Sequence, residues 1–247
     1  MRGAIKNTSK GEAYFRWRSP DVSRIENLSD IIFALALALI AAPDVPKTFA
    51  ELAAIWRDIL ATGVCFAILL VIWNTHYVFF RRYDLMDGHT VFLNSVLLFL
   101  VFSLAYPLKY IILFVVRLMT LDFSSGLEID AVMSLEEGKI AMILYSAAYA
   151  SVFIVFTLLY HHALADADRM ALTARERILT RSAIEGAIVH VITALGICTI
   201  AFFTPPEIAV TMGFLFFLIF PGMMIVTYRE KKRITSLGSG ETSPAEN

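Results

Sequence analysis

The chain has 247 residues, of which 58% are hydrophobic and 17% charged, and its formal net charge is −1. A water-soluble domain carries about 25% charged residues, so this composition excludes an ordinary soluble globular protein; the net charge itself says little about partners, and no nucleic-acid partner is expected of an integral membrane domain with short tails. Cys65 and Cys198 both lie in apolar runs, which excludes a disulfide framework and a thiolate metal centre.

Residues 1–24 are polar and basic, and they read as an N-terminal segment without a cleaved signal peptide. Apolar segments follow near residues 25–43, 50–80, 90–116, 137–161, 180–203 and 206–228. About 20 apolar residues rising 1.5 Å each cross the roughly 30 Å hydrocarbon core, and a lone strand cannot satisfy its backbone there. The expected fold class is therefore all-α, an integral membrane bundle of six transmembrane helices over residues 25–229 in a lipid bilayer. The first segment is the shortest. Its continuous apolar run, Ile31 to Pro43, spans only if the helix also recruits Arg24 to Asp30. Pro205 and Pro206 separate the fifth segment from the sixth by a tight reversal. Residues 230–247 read as a basic and then disordered tail, the disorder from residue 234 onward, where Ser, Gly, Thr and Glu dominate.

Basic residues set the orientation. The N-terminal segment, the second-to-third loop with Arg81 and Arg82, the fourth-to-fifth loop with Arg169, Arg175, Arg177 and Arg181, and the C-terminal end hold most of the 21 Lys and Arg. By the positive-inside rule these regions, and both termini with them, are expected on the cytoplasmic side of a cell membrane.

Depth follows from orientation. Asp30 on the first helix, His76 on the second and Asn94 on the third each lie five or six residues from the cytoplasmic end, about 7 to 9 Å into the membrane. An acidic group in a span costs roughly 2.5 to 3.5 kcal/mol near the centre and is expected to have a partner. The layer predicts a polar cluster of Ser29, Asp30, His76 and Asn94 with Arg24 close beneath; the alternative is that each group bonds locally to backbone. A single His, Asp and Asn fall short of a closed metal site and lie beside no activated nucleophile, so neither an enzyme nor a cofactor is expected.

Steps of three and four residues from Asp30 trace a stripe through Leu35, Ala38, Leu39 and Ala42, with Ile31 one turn below Leu35. Leu35 lies about 16 Å above Arg24, near the bilayer midplane. The residues allow two readings. Either the stripe lines a water path with a hydrophobic constriction at Leu35, or Leu35 and Leu39 pack on neighbouring helices while Ala34, Ala38 and Ala42 form a small-residue seam.

Arg24-x-x-x-Leu28-Ser29-Asp30 followed by Phe33-Ala34, Trp73-x-x-His76, and Asn94 with Pro107 resemble the signature of the transmembrane protein 175 family, the endosomal and lysosomal potassium channels and their prokaryotic relatives. The resemblance implies a prokaryotic subunit in the plasma membrane that assembles as a homotetramer, the first helix of each copy lining a central pore for K+ or another monovalent cation. It also implies that Ile31, Leu35, Ala38, Leu39 and Ala42 face the pore, and that Arg24, Ser29, Asp30, Trp73, His76 and Asn94 form the polar network behind it. Two positions depart from the family pattern. Leu28 stands where an aromatic precedes the Ser-Asp pair, and Ala38 where the family commonly has threonine. A ring of methyl groups cannot coordinate a partly dehydrated cation, so weak selectivity is expected. The competing readings are a secondary transporter, for which Pro107 and Pro221 are a partial match, and a membrane protein of this fold without channel activity.

His161 and His162 are adjacent, point about 100° apart on a helix, and read as interfacial rather than chelating. Glu185, near the cytoplasmic start of the fifth helix, and His190 further along it read as residues that make structural hydrogen bonds, with a proton relay as the alternative.

Overall fold

The computed structural model describes residues 15–19, 22–41, 46–49, 52–53, 55, 59–119 and 134–240. Its principal elements are α1 (Arg24–Ala41), α2 (Ile59–Tyr83), α3 (Gly88–Met119), α4 (Leu135–Ala165), α5 (Ala174–Phe203), α6 (Pro206–Ala209), a 3-10 stretch (Val210–Leu218) and α7 (Ile219–Gly240).

The helix starts are written in the sequence. Ser23 and Glu26 form a reciprocal cap at α1, with Ser23 N–H donating to Glu26 Oε2 at 2.7 Å and Glu26 N–H to Ser23 Oγ at 3.1 Å. Ser134 with Glu137 and Thr173 with Glu176 repeat the arrangement at α4 and α5. Each box satisfies two otherwise orphaned backbone donors, which matters most where a helix enters a membrane. Pro205 and Pro206 take the cap and first-turn positions of α6, where a missing N–H costs nothing, so α5 ends at Phe203 and the chain reverses. Lys139 closes that end by donating to the Thr204 carbonyl at 2.8 Å.

Among the described residues, five stretches are long and apolar enough to cross a membrane: Ile59–Tyr83, Gly88–Ala105, Leu135–Ala165, Ala174–Phe203 and Pro206–Leu237. The sixth expected span, α1, is 18 residues long, about 27 Å. It carries Arg24, Glu26 and Asp30, and these keep it outside that set. The C-terminal boundary also differs from expectation. Helix α7 continues from the apolar segment through Arg229–Gly240, past residue 229 and into the stretch read as disordered, because Glu230, Lys231, Lys232 and Arg233 are competent helix formers and Arg233 pairs with Glu185 of α5 at 2.7 Å. Residues 241–247 lie outside the described residues.

Helix α1 lies against α2 and α3, α4 against α3 and α5, and α5 against the 3-10 stretch and α7. Phe33, Leu69, Ile72, Phe79, Phe80, Leu97, Val101, Phe156 and Leu159 fill the space between the first four helices. Lipid tails are as apolar as these side chains, so their contribution is shape fit rather than escape from water. Aromatic edges supply that fit, with Phe79 against Tyr160 at 5.3 Å and Phe15 against Tyr83 at 5.5 Å. Residues on the outer wall, among them Phe99, Phe202, Phe220 and Met224, remain exposed, as a bilayer requires.

Candidate pore helix and the polar network behind it

Helix α1 has two unlike faces. Glu26, Ser29, Phe33, Ala36 and Ile40, spaced by three and four, are buried against α2 and α3. Ile31 at 65% exposure, Leu35 at 49%, and Ala34 and Ala38 occupy the opposite face, which no other described element covers. Leu39 is half-buried at the edge of the stripe, and Ala42 lies outside the described residues.

On the buried face Ser29, Asn94 and His76 form one hydrogen-bonded chain, all three at most 2% exposed. Ser29 Oγ donates to the Ile25 carbonyl at 2.8 Å, which uses its only proton. It therefore accepts from Asn94 Nδ2 at 3.1 Å, and Asn94 Oδ1 is left facing His76 Nε2 at 2.8 Å. His76 Nε2 must then carry the hydrogen, which fixes the tautomer of a ring packed between Phe33 and Phe80. The chain joins α1, α2 and α3 at one depth.

Asp30 is not part of that chain. It is exposed, and its Oδ1 accepts from Trp73 Nε1 at 2.8 Å. The reason is helical rotation: Ser29 and Asp30 are neighbours and point about 100° apart, so when Ser29 faces the core Asp30 faces along the rim toward α2. The expected partnership of Asp30 with His76 and Asn94 is thus replaced by one with Trp73. Arg24 sits exposed at the start of α1, and the cation beneath the layer is Arg81 instead.

Arg81 closes a ladder on one face of α2. Trp73 stacks on Tyr77 at 5.6 Å, and the Arg81 guanidinium lies over the Tyr77 ring at 5.4 Å and approaches buried Glu26 of the α1 cap at 3.9 Å. Residues 73, 77 and 81 follow the i, i+4 spacing of a helix face, and Ser23-x-x-Glu26 is a capping-box pattern. These two signals locate Glu26, Tyr77 and Arg81, which a reading fixed on intramembrane polar residues passes over.

Residues 15–19 strap this end of the bundle. Arg18 N–H donates to the Arg81 carbonyl at 3.1 Å, and Arg81 Nη1 donates back to the Ser19 carbonyl at 3.3 Å. The Arg18 guanidinium grips Glu176 of α5 through two nitrogens at 3.3 and 3.0 Å, a fork geometry that arginine supplies and lysine does not. Arg16 N–H adds a third bond to the same carboxylate at 2.9 Å. The turn after α2 places Asp84 beside the strap with φ 51°, a backbone region that Asp tolerates better than most residues. Partial burial raises the Asp84 carboxyl above its ordinary range, against a hydrogen bond from the Ser19 side chain that lowers it, and Glu26 adds to the rise.

Glu185 pairs with Arg233, and His190 Nδ1 meets the Tyr149 hydroxyl at 2.8 Å while its ring stacks on Phe153. The two residues occupy separate structural contacts.

An all-helical bundle with several apolar spans and one helix bearing an uncovered stripe defines a multi-pass membrane protein. Residues 24–105, the region holding α1, α2 and the first half of α3, match the family described as endosomal/lysosomal potassium channel TMEM175. A potassium channel of Marivirga tractuosa is 31% identical over 230 residues, covering 89% of this chain and 93% of that one. The crystal structure of the potassium channel MtTMEM175, in a threonine-to-alanine variant bound to a nanobody fusion, superposes with a TM-score of 0.77 at 30% identity, covering 89% of this chain and 97% of that one. A TMEM175 homologue from Chamaesiphon minutus, described as a lysosomal potassium-selective channel homologue, shares the fold with a TM-score of 0.52 at 22% identity over 82% of this chain and 96% of that one. The chain belongs to the TMEM175 family.

Proposed function

We propose that the chain is one subunit of a potassium-type channel, in which four copies bring the uncovered stripe of α1 to a common axis and pass monovalent cations between them. The observation that carries this reading is the asymmetry of α1: one face is locked by the Ser29–Asn94–His76 chain, while Ile31, Leu35 and Ala38 on the other are left uncovered. A helix fixed in rotation can present the same side chains to an axis in every copy. The potassium channels among its relatives support the assignment. In this reading α1 is the sixth span, its charged first turn seated at the membrane surface, both termini are cytoplasmic, and the membrane is the plasma membrane of a prokaryote. Leu35 rings make an apolar constriction that gates by excluding water, and Ala38 supplies no hydroxyl to replace hydration, so discrimination among monovalent cations is weak. No cofactor is needed beyond the permeant ion.

Reconstituted protein is expected to pass K+ in a liposome flux assay and to run in detergent with the mass of four subunits. Leu35→Ser, which wets the constriction, is expected to raise basal flux several-fold. A monomeric, flux-silent protein, or a Leu35→Ser variant indistinguishable from the parent, would remove the reading.

A further inference from the structure

Away from the pore helix, the basic end of the bundle gathers three side chains that together offer the donors of a metal site. Asp87 stands immediately before α3, and His162 and Asp166 occupy the last turn of α4 and its C-cap. One ligand atom from each lies within 4.8 Å of the others, and all three residues are half-buried. The adjacent histidines do not chelate together. The useful spacing is His162 to Asp166, four residues apart on one helix face, where two donors converge on a single ion.

Each donor is held in place by the backbone around it. Asp87 caps α3, its Oδ1 accepting from Thr90 N–H at 2.9 Å, and this leaves Oδ2 turned toward His162 Nε2 at 2.8 Å. Asp166 is fixed as the last residue of the α4 helical turn through its own N–H, which bonds the His162 carbonyl at 3.1 Å. Two donors bound to one zinc at about 2.0 to 2.1 Å stand about 3.3 Å apart in tetrahedral geometry. An ion replacing the hydrogen between His162 and Asp87 would therefore open that contact by about half an ångström. The His89 ring packs beside the group, 4.8 Å from that of His162, without being one of the three donors. Two groups compete for these oxygens: Thr90 Oγ1 donates to Asp87 Oδ2 at 3.3 Å, and Arg169 Nη2 pairs with Asp166 Oδ2 at 3.0 Å.

We propose that Asp87, His162 and Asp166 bind a divalent first-row transition ion of the zinc type, joining the start of α3 to the end of α4. The imidazole selects this class over Mg2+ and Ca2+, which favour all-oxygen sets. Two carboxylates balance the charge of the ion, and water fills the remaining position. The site does not depend on the pore reading, since none of its residues belongs to α1.

The test uses the full chain purified in detergent, freed of metal, and titrated with Zn2+ against a chromophoric chelator. Binding of one Zn2+ per subunit is expected, weakened about tenfold or more by His162→Gln and by Asp166→Asn. His161→Gln, which alters the neighbouring ring, is expected to bind as the parent does. Arg169→Gln removes the charged competitor and is expected to tighten binding, the opposite sign to any loss of fold. Absence of stoichiometric binding, equal affinity in His162→Gln, displacement of Zn2+ by equimolar Ca2+, or unchanged or weaker binding in Arg169→Gln would each overturn the proposal.

Discussion

At the scale of single residues, the decisive group is Asn94, because it stands in the middle of the polar chain and bonds both of the other members. Removing it leaves the His76 N–H without its acceptor and Ser29 Oγ without its donor, both fully buried. An unsatisfied buried polar group costs about 1 to 3 kcal/mol. Asn94→Leu is therefore expected to lower the detergent-solubilised melting temperature more than Ser29→Ala, which removes an acceptor while Asn94 keeps its bond to His76. Thermal unfolding followed by tryptophan fluorescence checks the order; equal effects would mean that the chain is not coupled. That these three residues share one depth is legible from helix rise and charge placement alone. Which neighbour faces inward is not, since a rotation of one residue exchanges Ser29 for Asp30 and depth arithmetic contains no rotation.

At the scale of elements, reversals and starts were open to reading wherever backbone chemistry demands particular residues. Pro205-Pro206 marks the turn between α5 and α6, and the Ser-x-x-Glu and Thr-x-x-Glu boxes mark three helix starts. The end of α7 was harder to read, because a Ser- and Gly-rich composition states a preference that the tertiary pair Arg233–Glu185 overrides. The contact of α7 with α5 depends on a missing side chain. A Cβ at Gly222 would stand 2.5 Å from Val189 Cγ1, and Val189 has a stiff, branched side chain. Gly222→Ala is accordingly expected to cost about 1 to 3 kcal/mol by overpacking. Val189→Ala in the same chain is expected to restore much of that loss, although alone it opens a void and destabilises. A double-mutant cycle by thermal unfolding reads the coupling, and additive losses would show that α7 simply moves away.

At the scale of the whole molecule, the question is what solvates the outward surface of each helix. Phe99 at 70% and Phe202 at 63% are as exposed in a single chain as Ile31 at 65%, so exposure alone does not separate lipid from pore. The proposed assembly around α1 would separate them, because it would give the stripe water and leave the other positions in hydrocarbon. A thiol reacts as the thiolate, which forms in water and not among acyl chains. In a background lacking Cys65 and Cys198, cysteines placed at Ile31 and Ala38 are expected to react with a water-soluble, cationic thiol reagent and to lose most of the liposome K+ flux as its bulk and charge fill the path. Cysteines placed at Phe99 and Phe202 are expected to remain unreactive, with flux unchanged. Reaction at 99 and 202 with protection at 31 and 38 would put the water path elsewhere and leave the stripe of α1 as a packing seam. The small side chain at Ala38 sharpens the experiment, since in the proposed tetramer a modified cysteine there would add to a ring of methyl groups rather than replace a bulky constriction, and its effect on flux would report whether position 38 lies at the axis.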